Sequence, residues 1–282
     1  LIFPAMLHAK NDGYILPDNV PANEFLNLEG QKISKSRNWS IDLRDFITEF
    51  PEKNYMDTLR YTLAMNFPET KDSDFTWKDF QARNNNELVA ILGNFVNRTL
   101  VLTNNYYGGK VPRRGNTDKN DDSVLNDMIR IKENVETSLE TFRFREALKE
   151  AMNLARLGNK YLADAEPWKV IKTDPERVKT IMNIALQITA NLTIICEPFL
   201  PFSMDKLRSW INFKEMKWED AGRSDLLSPD HLINRPGLLF EKIEDEEITR
   251  QVDKLLATKK TNEEAGIETT PPKDPVTFND FA

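Results

Sequence analysis

From Trp77 to Ile195 the apolar residues return every three or four positions, and a chain with that period over so long a stretch must pack helix against helix. Leu88, Ile91, Leu92, Phe95 and Leu102 trace one stripe, and Leu125, Met128, Val135, Leu139 and Phe142 a second. Leu148, Ala151, Leu154, Tyr161 and Leu162 form the next, and Ile181, Ile184, Ile188 and Leu192 lead to Ile195. The breaks carry helix-ending chemistry. YYGGKVPRRGN at 106–116 interrupts the first helix, and Asp174-Pro175-Glu176 supplies an N-cap followed by proline at the first helical position. Pro198 and Pro201 are read as closing the helix that begins there. Short loops between such helices predict a bundle.

Ahead of the bundle the pattern is mixed. Phe3 to Leu7 reads as a short helix or strand end, followed by a polar loop and a strand at Phe25 to Leu28. Asp42 to Phe50 and Asn54 to Met65 read as helices, the second amphipathic through Met56, Leu59, Tyr61 and Leu63. Behind the bundle a last helix is expected over Glu246 to Ala257, with Glu244-Asp245-Glu246-Glu247 at its start, where the helix dipole favours carboxylates. The charged, proline-bearing stretch 258–275 reads as a linker before the apolar restart VTFNDFA.

Composition limits the function. A net charge of −7 gives no global basic field, so any nucleic-acid contact must come from local patches. The single cysteine, Cys196, sits in an apolar run and reads as an inert core thiol; it excludes an intramolecular disulfide and any zinc site built from cysteines, and fits a reducing, cytoplasmic compartment. His8 and His231 lack metal-ligand spacing. No apolar run is read as long enough to span a bilayer, so no membrane partner is expected. LIFPAML has neither the basic flank nor the cleavage site of a signal peptide, and reads as the interior of a fold, the mark of a fragment.

One segment stands apart. GQKISKSRNWS, residues 30–40, places two lysines, three serines and an arginine directly behind a glycine. A solvated basic turn is the ordinary reading. The alternative is a phosphate clamp: nucleotidyl transfer needs positive charge where the leaving pyrophosphate grows negative, and ammoniums on flexible stems, in a loop freed by Gly30, can approach and retreat. Ser34 and Ser36 can bond phosphate oxygens or the loop's own backbone. Two more features stay open in the same way. Asn94 and Arg98 lie one turn apart on one flank of their helix, where an amide and a guanidinium can bond base edges or merely line a polar face. Trp168, behind Pro167, is either a rigid stacking platform or a core tryptophan at a helix start.

The Lys32-Ile33-Ser34-Lys35-Ser36 run behind a strand and a glycine resembles the lysine-serine signature of class I aminoacyl-tRNA synthetases. Phe3-Pro4-Ala5-Met6-Leu7, Leu28-Glu29-Gly30, Met56-Asp57-Thr58-Leu59-Arg60-Tyr61, and Asp74-Phe75 near Asp79-Phe80 are similar to methionyl-tRNA synthetases, and the resemblance runs from Leu1 to about Ala257. It implies a mainly α chain: the end of a Rossmann-type nucleotide-binding fold and a stem-contact segment, then an anticodon-binding helix bundle. It also implies that Lys35 stabilises the adenylation transition state, with Lys32, Ser34 and Ser36 supporting it on the ATP phosphates. Ile33 stands where the family usually has methionine.

Gly93-Asn94-Phe95-Val96-Asn97-Arg98 and Glu166-Pro167-Trp168 match the family's readers of the CAU anticodon, so the resemblance assigns that role to Asn94, Arg98 and Trp168; Lys110, Arg113 and Arg114 are phosphate candidates by charge alone. The family's His-x-Gly-His turn and its zinc-bearing insert are not in the sequence and are expected N-terminal to it. The implied division is 1–80 for the end of the catalytic domain with the stem-contact segment, 81–225 for the bundle, 226–257 for a helix packing back along it, and 258–282 for a linker and the opening of a truncated tRNA-binding OB-fold, which Val276 to Phe281 resembles. The intact enzyme would be a methionine–tRNA ligase using ATP with Mg2+, methionine and tRNA-Met. The fragment would be monomeric and inactive alone, with any dimerisation carried by the appended domain. Two rivals keep part of the pattern: a class I synthetase of another specificity, and a helical RNA-binding module.

Overall fold

The computed structural model describes Met6, residues 18–214 and residues 216–264. Most of the Phe3–Leu7 segment, His8 and the stretch resembling an OB-fold lie outside the described residues.

Strands β1 (Leu26–Leu28), β2 (Gln31–Lys32) and β3 (Ser73–Phe75) form a small sheet in the order β2-β1-β3. β1 runs antiparallel to β2, with Leu28 opposite Gln31, and parallel to β3, with Leu28 opposite Phe75. Between β2 and β3 lie α1 (Leu43–Glu49) and α2 (Lys53–Met65). Asp42 caps α1 by accepting from the Arg44 and Asp45 amides, as expected of an aspartate just before an apolar period. A cluster of aromatic side chains closes under the sheet. Trp39, Phe46, Phe50, Phe75, Trp77 and Phe80 are all nearly or fully buried, with Phe46 and Phe50 stacked at 4.9 Å.

The first long helix of the bundle is not uniform. α3 (Trp77–Arg83) passes into a π-helical stretch (Asn84–Gly93) and then into α4 (Asn94–Tyr107), so the regular α spacing expected from Leu88 to Leu102 holds only from Asn94 onward. Wider i→i+5 turns keep Leu88 and Leu92 buried all the same. α4 ends at Gly108, in the left-handed region. α5 (Lys119–Glu140), α6 (Phe144–Ala165), the short α7 (Pro167–Val170), α8 (Pro175–Ile195) and α9 (Pro201–Trp210) follow.

Three expectations change here. Phe142 falls beyond the end of α5, at positive φ and half exposed, so it does not extend that stripe. Pro201 opens α9 at its first position instead of merely closing α8, because proline suits a helix's first turn as well as its end. And α8 does have the length and mean hydropathy (1.3) of a membrane span; its most apolar 18 residues are 94% buried inside the bundle, where the helix serves as the central core element.

The last helix, α10 (Asp245–Glu264), continues through the first residues read as linker. It also packs elsewhere than expected. Ile248 and Leu255 join the aromatic cluster under the sheet, and Lys254 pairs with Asp45 (2.9 Å) and Glu49 (2.7 Å) of α1, so α10 lies on the sheet-bearing part and not along the bundle. Asn84 and Asn85 guide the chain there: the Asn84 amide donates to the Glu241 carbonyl (2.7 Å), and Asn85 exchanges two bonds with Ile243.

The two parts are joined at α2. Asp57 accepts from the Ser203 amide (2.6 Å) in the first turn of α9, while Arg60 donates to the Pro198 and Phe199 carbonyls just past α8. One helical turn thus meets the positive end of one bundle helix and the negative end of another.

Candidate functional site

The lysine segment is built as a hairpin within a hairpin. Glu29 and Gly30 both take positive φ (47° and 73°), making the two-residue turn that joins β1 to β2. The Gly30 amide lies 3.0 and 2.9 Å from the two Asp74 carboxylate oxygens. Gly30 therefore fixes a turn; it does not free the loop. Beyond β2, Ser34 and Trp39 exchange two backbone bonds of 2.9 Å each, and the Asn38 amide donates to the Lys35 carbonyl (3.1 Å). The tip 34–39 is a second tight turn, with Asn38 at positive φ (49°). Its foot is Trp39, buried, with the indole N–H donating to the Leu28 carbonyl at 2.8 Å.

The two lysines differ. Lys32 lies on β2 with its ammonium 5.5 Å from the centre of the Phe25 ring. Lys35 is exposed at the tip and has no ion pair among the described residues. The Ser34 and Ser36 hydroxyls sit 3.1 Å apart, bonded to each other. Alongside the tip opens a cleft of about 750 Å³, walled by Leu28, Ile33, Leu59 and Phe75 with Lys35 and Arg44 among its lining residues. An exposed cation at the lip of a largely apolar cleft can neutralise charge on a polyphosphate bound there.

A second constellation forms on the bundle. Asn94 is exposed and Arg98 half-buried one turn later on α4, and the Phe95 ring beside Asn94 is fully buried. α6 and α7 meet at Glu166 in the left-handed region, Pro167 is buried as the first residue of α7, and Trp168 projects with 37% of its surface exposed. Its ring lies under the Arg98 guanidinium, whose central carbon is 5.5 Å from the ring centre. The structure thus unites Arg98 with Trp168 and rules out the core-tryptophan alternative. At the junction just before Asn94, the Asn159 amide of α6 donates to the Ile91 carbonyl (2.8 Å). Lys110 and Arg113 are exposed, while Arg114 turns inward toward Ser224 (3.3 Å).

Cys196 is fully buried, and burial pushes its thiol up to about 12. The His231 ring bonds the Ile211 carbonyl (2.7 Å). Three positioning residues escaped the sequence reading. Trp39 carried a signal, an aromatic immediately after a Lys/Ser run. So did Asn84 and Asn85: asparagines are poor helix formers, and several together inside a helical period point to side chains bonding a foreign backbone.

These features can be set beside known proteins. Residues 1–100 match the family model described as tRNA synthetases class I (M), and residues 111–260 match the anticodon binding domain of methionyl tRNA ligase. The methionine–tRNA ligases of Phocaeicola vulgatus and Parabacteroides distasonis are each 60% identical over 281 residues, covering 100% of this chain. The chain spans 41% of the length of these relatives. Among solved structures, Mycobacterium tuberculosis methionyl-tRNA synthetase in complex with methionyl-adenylate superposes with a TM-score of 0.71 at 23% identity, over 85% of this chain and 47% of that one. Its apo form gives 0.69 at 20% identity, over 86% and 47%. At those identities the superposition speaks for the fold alone. The matched family models, spanning most of the sequence, and the closeness of the bacterial ligases place the chain in the methionyl-tRNA synthetase family of class I.

Proposed function

We propose that the intact protein is a methionine–tRNA ligase, to which this chain contributes the ATP-phosphate clamp and the anticodon reader. The observation that carries the reading is Lys35: an exposed ammonium, with no ion pair among the described residues, on a stitched hairpin at the lip of a cleft. In the first step the methionine carboxylate attacks the α-phosphorus of ATP and the bond to pyrophosphate breaks. Lys35 takes up the charge growing on the departing pyrophosphate, with Lys32, Ser34 and Ser36 at neighbouring phosphate oxygens; a Mg2+ ion carried in with ATP would supply further neutralising charge. In the second step the terminal adenosine hydroxyl of tRNA-Met attacks the methionyl carbonyl and AMP leaves. Neither step needs a protein nucleophile.

On the bundle, Trp168 stacks an unpaired anticodon base while Asn94 and Arg98 bond base edges. Residues 1–80 complete the nucleotide-binding part with its stem-contact segment, 81–225 form the anticodon-binding bundle, and 226–257 carry the return to the sheet. A cytoplasmic site of action follows from the substrates.

The test is Lys35→Ala in the full-length enzyme. Methionine-dependent exchange of pyrophosphate into ATP should fall at least a hundredfold, about 3 kcal/mol of transition-state stabilisation, with methionine binding hardly changed. Exchange near the wild-type rate would remove the clamp. For the bundle, a stem-loop bearing CAU should bind this chain better than a one-base variant; equal binding would favour a general RNA-binding module.

A further inference from the structure

We infer that Asn159 of α6 is a positioning residue for the proposed anticodon reader, its amide helping to set the direction in which Asn94 and Arg98 leave α4. The inference rests on the reading of those two residues, with Trp168, as that reader. Its basis is where the Asn159 bond falls. The π-helical stretch ends at Gly93, and the Asn94 N–H donates to the carbonyls of Ile91 and Val89, three and five residues back, on either side of the usual α-helical partner. Asn94 thus stands where wide turns give way to ordinary ones. The Asn159 amide donates to that same Ile91 carbonyl (2.8 Å), and to the Ala155 carbonyl of its own helix (3.1 Å), which braces it. Among the described residues it is the one side chain of another helix that hydrogen-bonds the backbone between Asn84 and Tyr107.

The surroundings suit that contact. Gly158 lacks the Cβ that the Phe95 ring would strike, so α6 and α4 approach closely beside Asn159. Leu92 and Phe95 are fully buried and keep this segment in the bundle. Apolar packing is non-directional, however, and tolerates a small turn about the helix axis, whereas a hydrogen bond weakens as it bends. Such a turn matters most at the surface, where Asn94 is exposed and Arg98 lies over the Trp168 ring. Trp168 is carried by α7, which continues from the end of α6. The helix that holds the Ile91 carbonyl therefore also leads to the ring under Arg98, and the Asn159 bond fixes the two halves of the reader against each other. Wide turns of this kind recur at functional sites, where they re-aim the side chains that follow.

The experiment uses the full-length enzyme with Asn159→Asp, which keeps the shape but cannot donate, and Asn159→Leu, which keeps the size without charge. Dissociation constants are measured for a stem-loop bearing CAU and for a one-base variant of it, and amide hydrogen exchange is followed at Asn94. Each substitution should weaken CAU binding about fivefold and speed exchange at Asn94 by a similar factor. Binding of the one-base variant, held mainly through phosphates, should change by less than about twofold, so the ratio of the two affinities falls. A merely structural role would weaken both stem-loops alike and leave that ratio where it was. An unchanged ratio in Asn159→Leu therefore overturns the proposal, and so does unchanged exchange at Asn94. Equal binding of the two stem-loops by the wild type is a separate failure: it faults the anticodon reading itself, and the positioning role falls with it.

Discussion

The two surfaces proposed to carry this chain's recognition residues are mounted in opposite ways. Lys35 stands at the tip of a hairpin stitched by its own backbone bonds, above an open cleft. Arg98 and Trp168 stand on helices whose other faces are packed in the core of the bundle, with Phe95 and Pro167 buried beside them. A group that must meet charge developing on a leaving phosphate gains from travel, whereas one that reads a base gains from being held in place before the base arrives. In the proposed anticodon reader the Arg98–Trp168 contact would be such preorganisation, removing rotamer freedom that binding would otherwise have to remove.

If the mounts are independent, damage to one must leave the other intact. The largest expected effect is on the bundle. Phe95→Ala opens a cavity at a fully buried ring and should cost about 3–5 kcal/mol of stability. Binding of a CAU stem-loop should fall with it, while amide exchange over residues 31–40 stays as it was. A matching change in the hairpin would show that the two sites share one cooperative unit. Gly158 offers a subtler probe of the same support. A Cβ there would come within 2.3 Å of the Phe95 ring, so Gly158→Ala must push Phe95 aside beneath Asn94. Overpacking should cost about 1–3 kcal/mol despite alanine's better helix propensity, measured by urea denaturation.

Trp168→Ala tests the platform without touching the support. With its side chain part-exposed, its loss should change stability by less than about 1 kcal/mol, yet weaken stem-loop binding by about 1–3 kcal/mol. Binding unchanged within twofold would mean that Trp168 serves only to seat Arg98. On the loop side, Gly30→Ala meets no atom within 4 Å but must adopt φ near 73°. The cost should be about 1–2 kcal/mol, felt by the sheet and the hairpin together and hardly by the bundle.

What could be read from the sequence follows the same division. Bundle helices announce themselves because a buried stripe is a repeated local signal, and Asp174-Pro175 fixed the start of α8 to the residue. The π-helical stretch before Asn94 stayed hidden, since apolar spacing says where a side chain points and not which carbonyl its amide meets. Pro201 was ambiguous because proline fits both ends of a helix break. The seat of α10 was out of reach for another reason: Lys254 and Asp45 are distant in sequence, and nothing in a polar helix face names its partner. At the sites, residue types told what chemistry was available. Only the fold told that Trp168 is half outside, that Gly30 is a clasp, and that Trp39 is the foot of the loop.

The smallest effect distinguishes two buried carboxylates, one at the joint and one inside the bundle. Asp57 accepts from Ser203 with one oxygen and has no partner for the other among the described residues; burial raises its pKa, outweighing the Ser203 bonds and the Arg60 charge. Burial also acts on Asp121, but bonds from Arg177 and Tyr161 win and hold it below the ordinary range. The signs for stability are therefore opposite. As pH rises through the ordinary carboxylate range, the unfolded chain loses the Asp57 proton before the folded one does, so Asp57 contributes most in acid and less toward neutrality. Asp121 contributes fully above that range and loses its contribution as pH falls through its depressed folded value. Asp57→Asn, which keeps an acceptor for Ser203, should thus gain on the wild type as pH rises, whereas Asp121→Asn should lose ground. Urea midpoints at about pH 3 and pH 7 measure the two slopes. Parallel slopes would mean that water reaches Asp57, and that the joint between the two mounts is looser than its bonds suggest.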